Sequence, residues 1–240
     1  MTRRGWISRV VGVSFAPSWT RLARAAEFWQ TRTASEWTSA EIAELTTRSP
    51  WARMVNIEIP VAGMAAGTAS TANNGPQRDP TTPAGGAPPA PMGRRRSGPR
   101  RGQLLVRWES AEAIREALRT PLPRSFEGHY VVSVAGIDPE LAAPRKPGGD
   151  APVEHLSPEQ LAMHLKDGAE LEAKGHEPLP AGVIESTGKL HDTWLFGFSR
   201  EFLPLTEADR DVSFALRSGA IRFRVDFDLK RMRYKGALSV

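Results

Sequence analysis

The chain has 240 residues, 40% hydrophobic and 25% charged, with 21 Gly, 20 Pro and no Cys. That composition rules out disulfides, thiolate nucleophiles and Cys-ligated zinc or iron–sulfur sites, and no apolar run approaches the ~18–20 residues of a membrane-spanning helix. The net charge of +5 would point to nucleic acid or an anionic membrane if it lay on a folded face. Of the 32 basic residues, however, five Arg lie in residues 1–25 with no acid, and five more (Arg94, Arg95, Arg96, Arg100 and Arg101) form one tract. The remaining 22 face 27 acids, so the structured part is mildly acidic and nucleic acid is not an expected partner.

Residues 1–25 read as an export signal: a basic start, the apolar stretch Val10 to Ala16, and Ala23-Arg24-Ala25 as a small-residue cleavage site. Arg3-Arg4-Gly5-Trp6-Ile7 is similar to a twin-arginine signal, which tolerates weak hydrophobicity. The expected location is therefore exported, periplasmic or secreted.

Residues 26–59 form a Trp-rich segment. Thr38 and Glu41 have capping-box spacing and open a helix, Ile42 and Leu45 share its face, and Ser49-Pro50 ends it. Val55, Ile57 and Ile59 then alternate as a strand. Trp29, Trp37 and Trp51 are too large an apolar load for so short a segment to bury alone. They are the candidate docking residues, placed to pack on the later domain or on an unknown protein partner.

Residues 60–102 carry eight Pro and eight Gly, a composition too poor in apolar surface to offset chain entropy, and are expected to be a disordered linker. The five Arg of its tract are candidate anion contacts. From residue 103 the periodicity returns. Leu104, Val106 and Trp108 alternate, Ser110 is placed to cap a helix through Leu118, and Tyr130, Val132 and Val134 make the next strand. An irregular insert, 138–154, precedes a helix signalled by Ser157, Pro158 and Gln160. Strands are predicted over 183–186, 190–198 and 212–216, then over 221–230 with Ile221, Phe223, Val225, Phe227 and Leu229 on one face, and finally over 232–240 with a turn or bulge near Gly236. The expected fold is α+β, a mainly antiparallel sheet covered by two helices over 103–240, with a short helix–strand segment before the linker.

Phe28-Trp29, Glu36-Trp37-Thr38 and Ser49-Pro50-Trp51-Ala52, with the Gly/Pro-rich stretch, Leu105-Val106-Arg107-Trp108 and the ending Lys230-Arg231-Met232-Arg233-Tyr234-Lys235-Gly236, carry a resemblance. The chain resembles a family of uncharacterised exported bacterial proteins encoded as many paralogues. The resemblance implies export and a shared fold but no activity, and the 138–154 insert departs from it.

Chemistry-bearing constellations are sparse. His191-Asp192 with Ser186 could form a triad, but neighbours on a strand point to opposite faces and no G-x-S-x-G elbow is present. His155, His164 and His176 are separated by nine and twelve residues, which matches no helical metal-ligand pair. Glu170 with Glu172, and Asp226 with Asp228, read as solvated charge beside Arg222, Arg224 and Lys230. No nucleotide loop, cofactor or metal is expected. The leading functional expectation is an exported, non-enzymatic binding or scaffold protein. The alternatives are an unrecognised hydrolase, for which His164 or His191 in a concave pocket beside a second polar group would speak, and an anionic-polymer binder acting through the Arg tract.

Overall fold

The computed structural model describes residues 28–59, 100–144, 156–187 and 193–240. Residues 1–25, Arg94 to Arg96, His155 and His191-Asp192 lie outside them. Among the described residues the fold is mixed, with five α-helices, two 3-10 turns and mainly antiparallel sheets. In chain order the helices are α1 (Phe28–Thr31), α2 (Ser39–Thr47), α3 (Glu112–Leu118), α4 (Pro139–Ala142) and α5 (Pro158–Asp167). The strands are β1 (Ala52–Ile59), β2 (Arg100–Trp108), β3 (His129–Ala135), β4 (Ala169–Ala173), β5 (Leu179–Pro180), β6 (Val183–Thr187), β7 (Thr193–Ser199), β8 (Asp211–Ser218), β9 (Ile221–Asp228), β10 (Arg233–Tyr234) and β11 (Ala237–Leu238).

The strands divide between a five-stranded sheet ordered β1-β2-β3-β7-β6 and a four-stranded sheet ordered β5-β4-β8-β9, with β10 and β11 as a separate hairpin. A single sheet covered by two helices was the expectation; two sheets facing one another is the outcome. The reason is area. Helices of four to ten residues cannot cover the apolar faces of nine strands, whereas a second sheet can. Trp108 meets Phe227 edge-on at 5.4 Å, and Phe196 and Phe198 meet Phe214 at 5.5 and 6.1 Å, so aromatic side chains from both sheets interdigitate. At one side of the sandwich β1 runs close to β9, and at the other α5 packs against β6 and β8.

Both capping boxes form as their spacing dictates. Thr38 Oγ1 accepts from the Glu41 N–H while Glu41 Oε2 accepts from the Thr38 N–H, and Ser157 and Gln160 repeat the exchange at α5. α3 differs: its N-cap residue is Ala111, and the Ser110 hydroxyl instead accepts from the Val131 N–H at 3.0 Å. Ser239 supplies the missing acceptor, taking a hydrogen bond from the Glu112 N–H at 2.9 Å across 127 residues. β3 is buried on both faces because the 3-10 turn at Phe126 covers its outer side, packing with Val131 and Leu195. Beyond Met232 the chain makes a tight hairpin whose turn falls at Gly236, where a turn or bulge was expected: Lys235 and Gly236 take φ of 50° and 82°, the pair of left-handed residues that a two-residue hairpin turn requires.

β2 begins at Arg100, within the stretch read as linker, and Arg100 is the register partner of Ile59. β1 is therefore an edge strand of the same sheet as β2, and the Trp-rich segment shares its core with the residues after 102. Ile59 and Arg100, the residues on either side of 60–99, are paired on one ladder.

Candidate functional site

Trp29, Trp37 and Trp51 retain 5, 7 and 0% exposure. Trp29 packs edge-on against Phe28 and Trp51, and Trp37 against Phe28 and Tyr234, so α1, the residues flanking α2 and the β10–β11 hairpin meet in one aromatic cluster. Trp51 Nε1 donates to the Ser239 carbonyl at 2.7 Å, tying the start of β1 to the end of the chain. All three side chains are buried inside the chain; Trp51 Nε1 is hydrogen-bonded, whereas Trp37 Nε1 is buried without a partner among the described residues. Of the Arg tract, Arg100 and Arg101 begin β2 and the other three lie outside the described residues.

Glu170, Glu172, Asp226 and Asp228 lie on or beside the four-stranded sheet. Arg224 joins Glu172 at 2.5 Å and Asp226 at 3.4 Å and donates to Ser213 Oγ at 2.8 Å, while Ser213 Oγ donates to Asp226. The bond to Glu172 raises the Arg224 pKa, as expected for a surface charge ladder. Asp228 Oδ1 accepts from the Lys230 N–H at 3.0 Å and shapes the turn after β9. Among the described residues no group of three or more His, Asp and Glu is placed to hold a metal.

Two hollows remain. The smaller, 220 Å³, is lined by His164, Asp167, Gly168, Arg217, Ser218 and Gly219 with the end of α4. It sets His164 beside polar groups, the arrangement a hydrolase would use. Ser218 is nevertheless turned away from that role: it is buried, and its hydroxyl donates to the Ala142 carbonyl at 2.7 Å. The hollow is shaped by close backbone packing. A Cβ on Gly168 would stand 1.9 Å from the Arg217 carbonyl oxygen, and one on Gly219, at φ +56°, 2.3 Å from that of Ala143.

The larger hollow, 580 Å³, opens where the C-terminal end of α2 meets the outer face of β1 and β2, between Thr47, Arg48, Ala52, Arg53, Met54 and Gln103. Arg48 is the exposed C-cap of α2 and Met54 is 43% exposed on β1. Arg53 is half-buried, with Nη1 donating to the Ser49 and Ala52 carbonyls. Burial first, and then the like charge of Arg231, hold its guanidinium below its ordinary pKa. No sequence motif announced this hollow, since Arg53 and Met54 fit the alternation of β1 and Arg48 the end of a helix. Only the fold brings them to Gln103, 47 residues beyond Asn56 and joined to it side chain to side chain at 3.3 Å.

No family model, curated protein or solved structure matches this chain.

Proposed function

We propose that the chain is an exported, non-enzymatic binding protein of the group it resembles, and that its binding face is the 580 Å³ hollow at the α2–β1 corner. One observation carries this reading: the exposed Arg48 at the end of α2 and the 43% exposed Met54 on edge strand β1 border it, and the Arg48 guanidinium has no partner among the described residues. The volume lies within the ~300–1,000 Å³ usual for ligand sites. Export rests on residues 1–25 of the sequence. The hydrolase reading stands second, favoured by the position of His164 in the smaller hollow and weakened by the inward turn of Ser218.

A photo-crosslinking residue at position 54, compared with one at the exposed Arg222 on β9, tests the binding face in the native cell fractions. The expected result is a defined adduct from position 54 in the exported fraction that position 222 does not give. The same adducts from both positions, or none from 54, would remove the hollow as the binding face.

A further inference from the structure

We propose that the free edge of β1 pairs antiparallel with the β1 edge of a second copy of this chain, about a twofold axis at Asn56, so that two five-stranded sheets become one. The pairing is made by the backbone and does not rest on the binding reading above.

The hydrogen-bond phase of the sheet decides which groups are free. In an antiparallel ladder alternate residues give both N–H and C=O to one neighbour, and the residues between them point both groups the other way. The Trp108 N–H donates to the Trp51 carbonyl at 2.8 Å, and the register that pairs Ala52 with Arg107 sets Trp51 opposite Trp108. The positions of β1 bonded to β2 are therefore Arg53, Val55, Ile57 and Ile59. The far side of β2 agrees: the Glu109 N–H donates to the Val131 carbonyl at 2.7 Å, so the odd-numbered residues of β2 serve β3 and the even-numbered ones serve β1. This leaves the N–H and C=O of Met54, Asn56 and Glu58 pointing away from β2, and none of these groups finds a partner among the described residues. β9 passes near β1 but belongs to the facing sheet, and among the described residues no ladder joins the two.

Both ends of this edge are closed. The Ala52 carbonyl accepts from Arg53 Nη1 at 3.1 Å and its N–H donates to the Ser49 carbonyl at 3.2 Å, while Pro60, next in sequence after Ile59, has no N–H. A twofold at Asn56 is the register that uses every free group: Asn56 meets Asn56 of the second copy, and Met54 meets its Glu58. The side chains accept it. Half-buried Val55 falls opposite Ile57 of the other copy on the inner face, and like charges do not stand opposite one another, since Glu58 faces Met54 and lies about 13 Å from its own counterpart. The other sheet edges carry the usual guards against such pairing. β5 is two residues long and includes Pro180, α5 packs against β6, and β9 carries Arg222, Arg224, Asp226 and Asp228. β1 runs eight residues in unbroken register without Pro, Lys or bulge, and Glu58 is the single charge at its free positions.

The test uses the full chain. Light scattering at about 0.1 mM should give twice the mass of the 240-residue chain, as a Kd of about 10 µM or tighter requires. Asn56→Pro should return the monomer mass with the circular dichroism of the parent, because the N–H it deletes makes no bond to β2. The chain has no Cys, so introduced cysteines read the register and decide the matter even where Asn56→Pro fails to fold. Asn56→Cys should oxidise to a covalent dimer, its two Cα atoms being about 5.5 Å apart. Glu58→Cys should not, whereas a mixture of Met54→Cys and Glu58→Cys chains should give the mixed dimer. A monomer at that concentration would overturn the proposal, as would a dimer that persists in Asn56→Pro, or crosslinking of Glu58→Cys as fast as that of Asn56→Cys. A photo-adduct from position 54 with a second copy reports this pairing, and one with a different protein reports the binding face, so the two readings fail separately.

Discussion

Replacing Ser239 by Ala removes one atom from the far end of the chain and should weaken a helix that begins 127 residues earlier. Ser239 is buried, and its Oγ accepts from the Glu112 N–H at 2.9 Å, the first residue of α3. Ala111 at the N-cap has no side-chain acceptor, so in the variant this N–H loses its partner. The loss of an N-cap costs about 0.5–2 kcal/mol and a buried unsatisfied donor about 1–3, so about 1–2 kcal/mol is expected here. The backbone of Ser239 is untouched: its carbonyl still accepts from Trp51 Nε1 and its N–H still donates to the Met232 carbonyl at 2.9 Å. The variant therefore isolates the cap from the latch. Urea denaturation should show a lower midpoint at unchanged m-value, with a fall in Tm of about 2–8 °C at this chain size. Amide exchange should speed up at Glu112 in particular. Ser110→Ala is the comparison, because its hydroxyl serves β3 through Val131; it should cost a similar amount with Glu112 exchange unchanged. Stability of Ser239→Ala within about 0.5 kcal/mol of the parent, or faster Glu112 exchange in Ser110→Ala, would refute the reasoning.

The glycines give a second contrast. Gly168→Ala puts a Cβ 1.9 Å from the Arg217 carbonyl and should cost on the order of 4 kcal/mol or prevent folding, whereas Gly236→Ala meets nothing within 4 Å and should cost only the strain of its φ of +82°, about 1–2 kcal/mol; circular dichroism melts separate them. Tyr234 should make stability sensitive to alkali. Its hydroxyl donates to Glu116 at 2.7 Å, and burial, reinforced by that carboxylate, pushes its pKa from 10 up to about 12. The folded value lies above the unfolded one, so the contribution is intact below about pH 10 and is lost as pH rises through about 12, some 2–3 kcal/mol in all. Lys235, whose pKa is also raised by its bond to Glu116, titrates with the same sign. Tyr234→Phe should flatten the urea midpoint between pH 10 and 12, and a slope equal to the parent's would count against the assignment.

What could be read from the sequence was whatever is decided within a few residues. Thr38 with Glu41 and Ser157 with Gln160 close hydrogen bonds three residues apart, so their helices start where the spacing puts them. The alternation from Ile221 to Phe227 likewise shows in the burial of β9, apart from a half-exposed Phe223. Long-range geometry settled the rest. Ser110 has the right spacing for a cap, yet the Val131 N–H, brought beside it by sheet pairing, takes its hydroxyl, and Ser239 arrives from the other end of the chain to take its place. β4, Ala-Glu-Leu-Glu-Ala, alternates but is built of Ala and Glu, which are depleted in strands; it becomes one because β8 lies beside it in register from Ala169 to Ala173. The candidate site belongs to the same class. An arginine at a helix end and a methionine on an edge strand are unremarkable by spacing, and the hollow they border exists only once the packing of α2 on β1 has set what is near them. Local hydrogen bonds are written in adjacent letters, while the surroundings of a side chain depend on residues tens to hundreds of positions away.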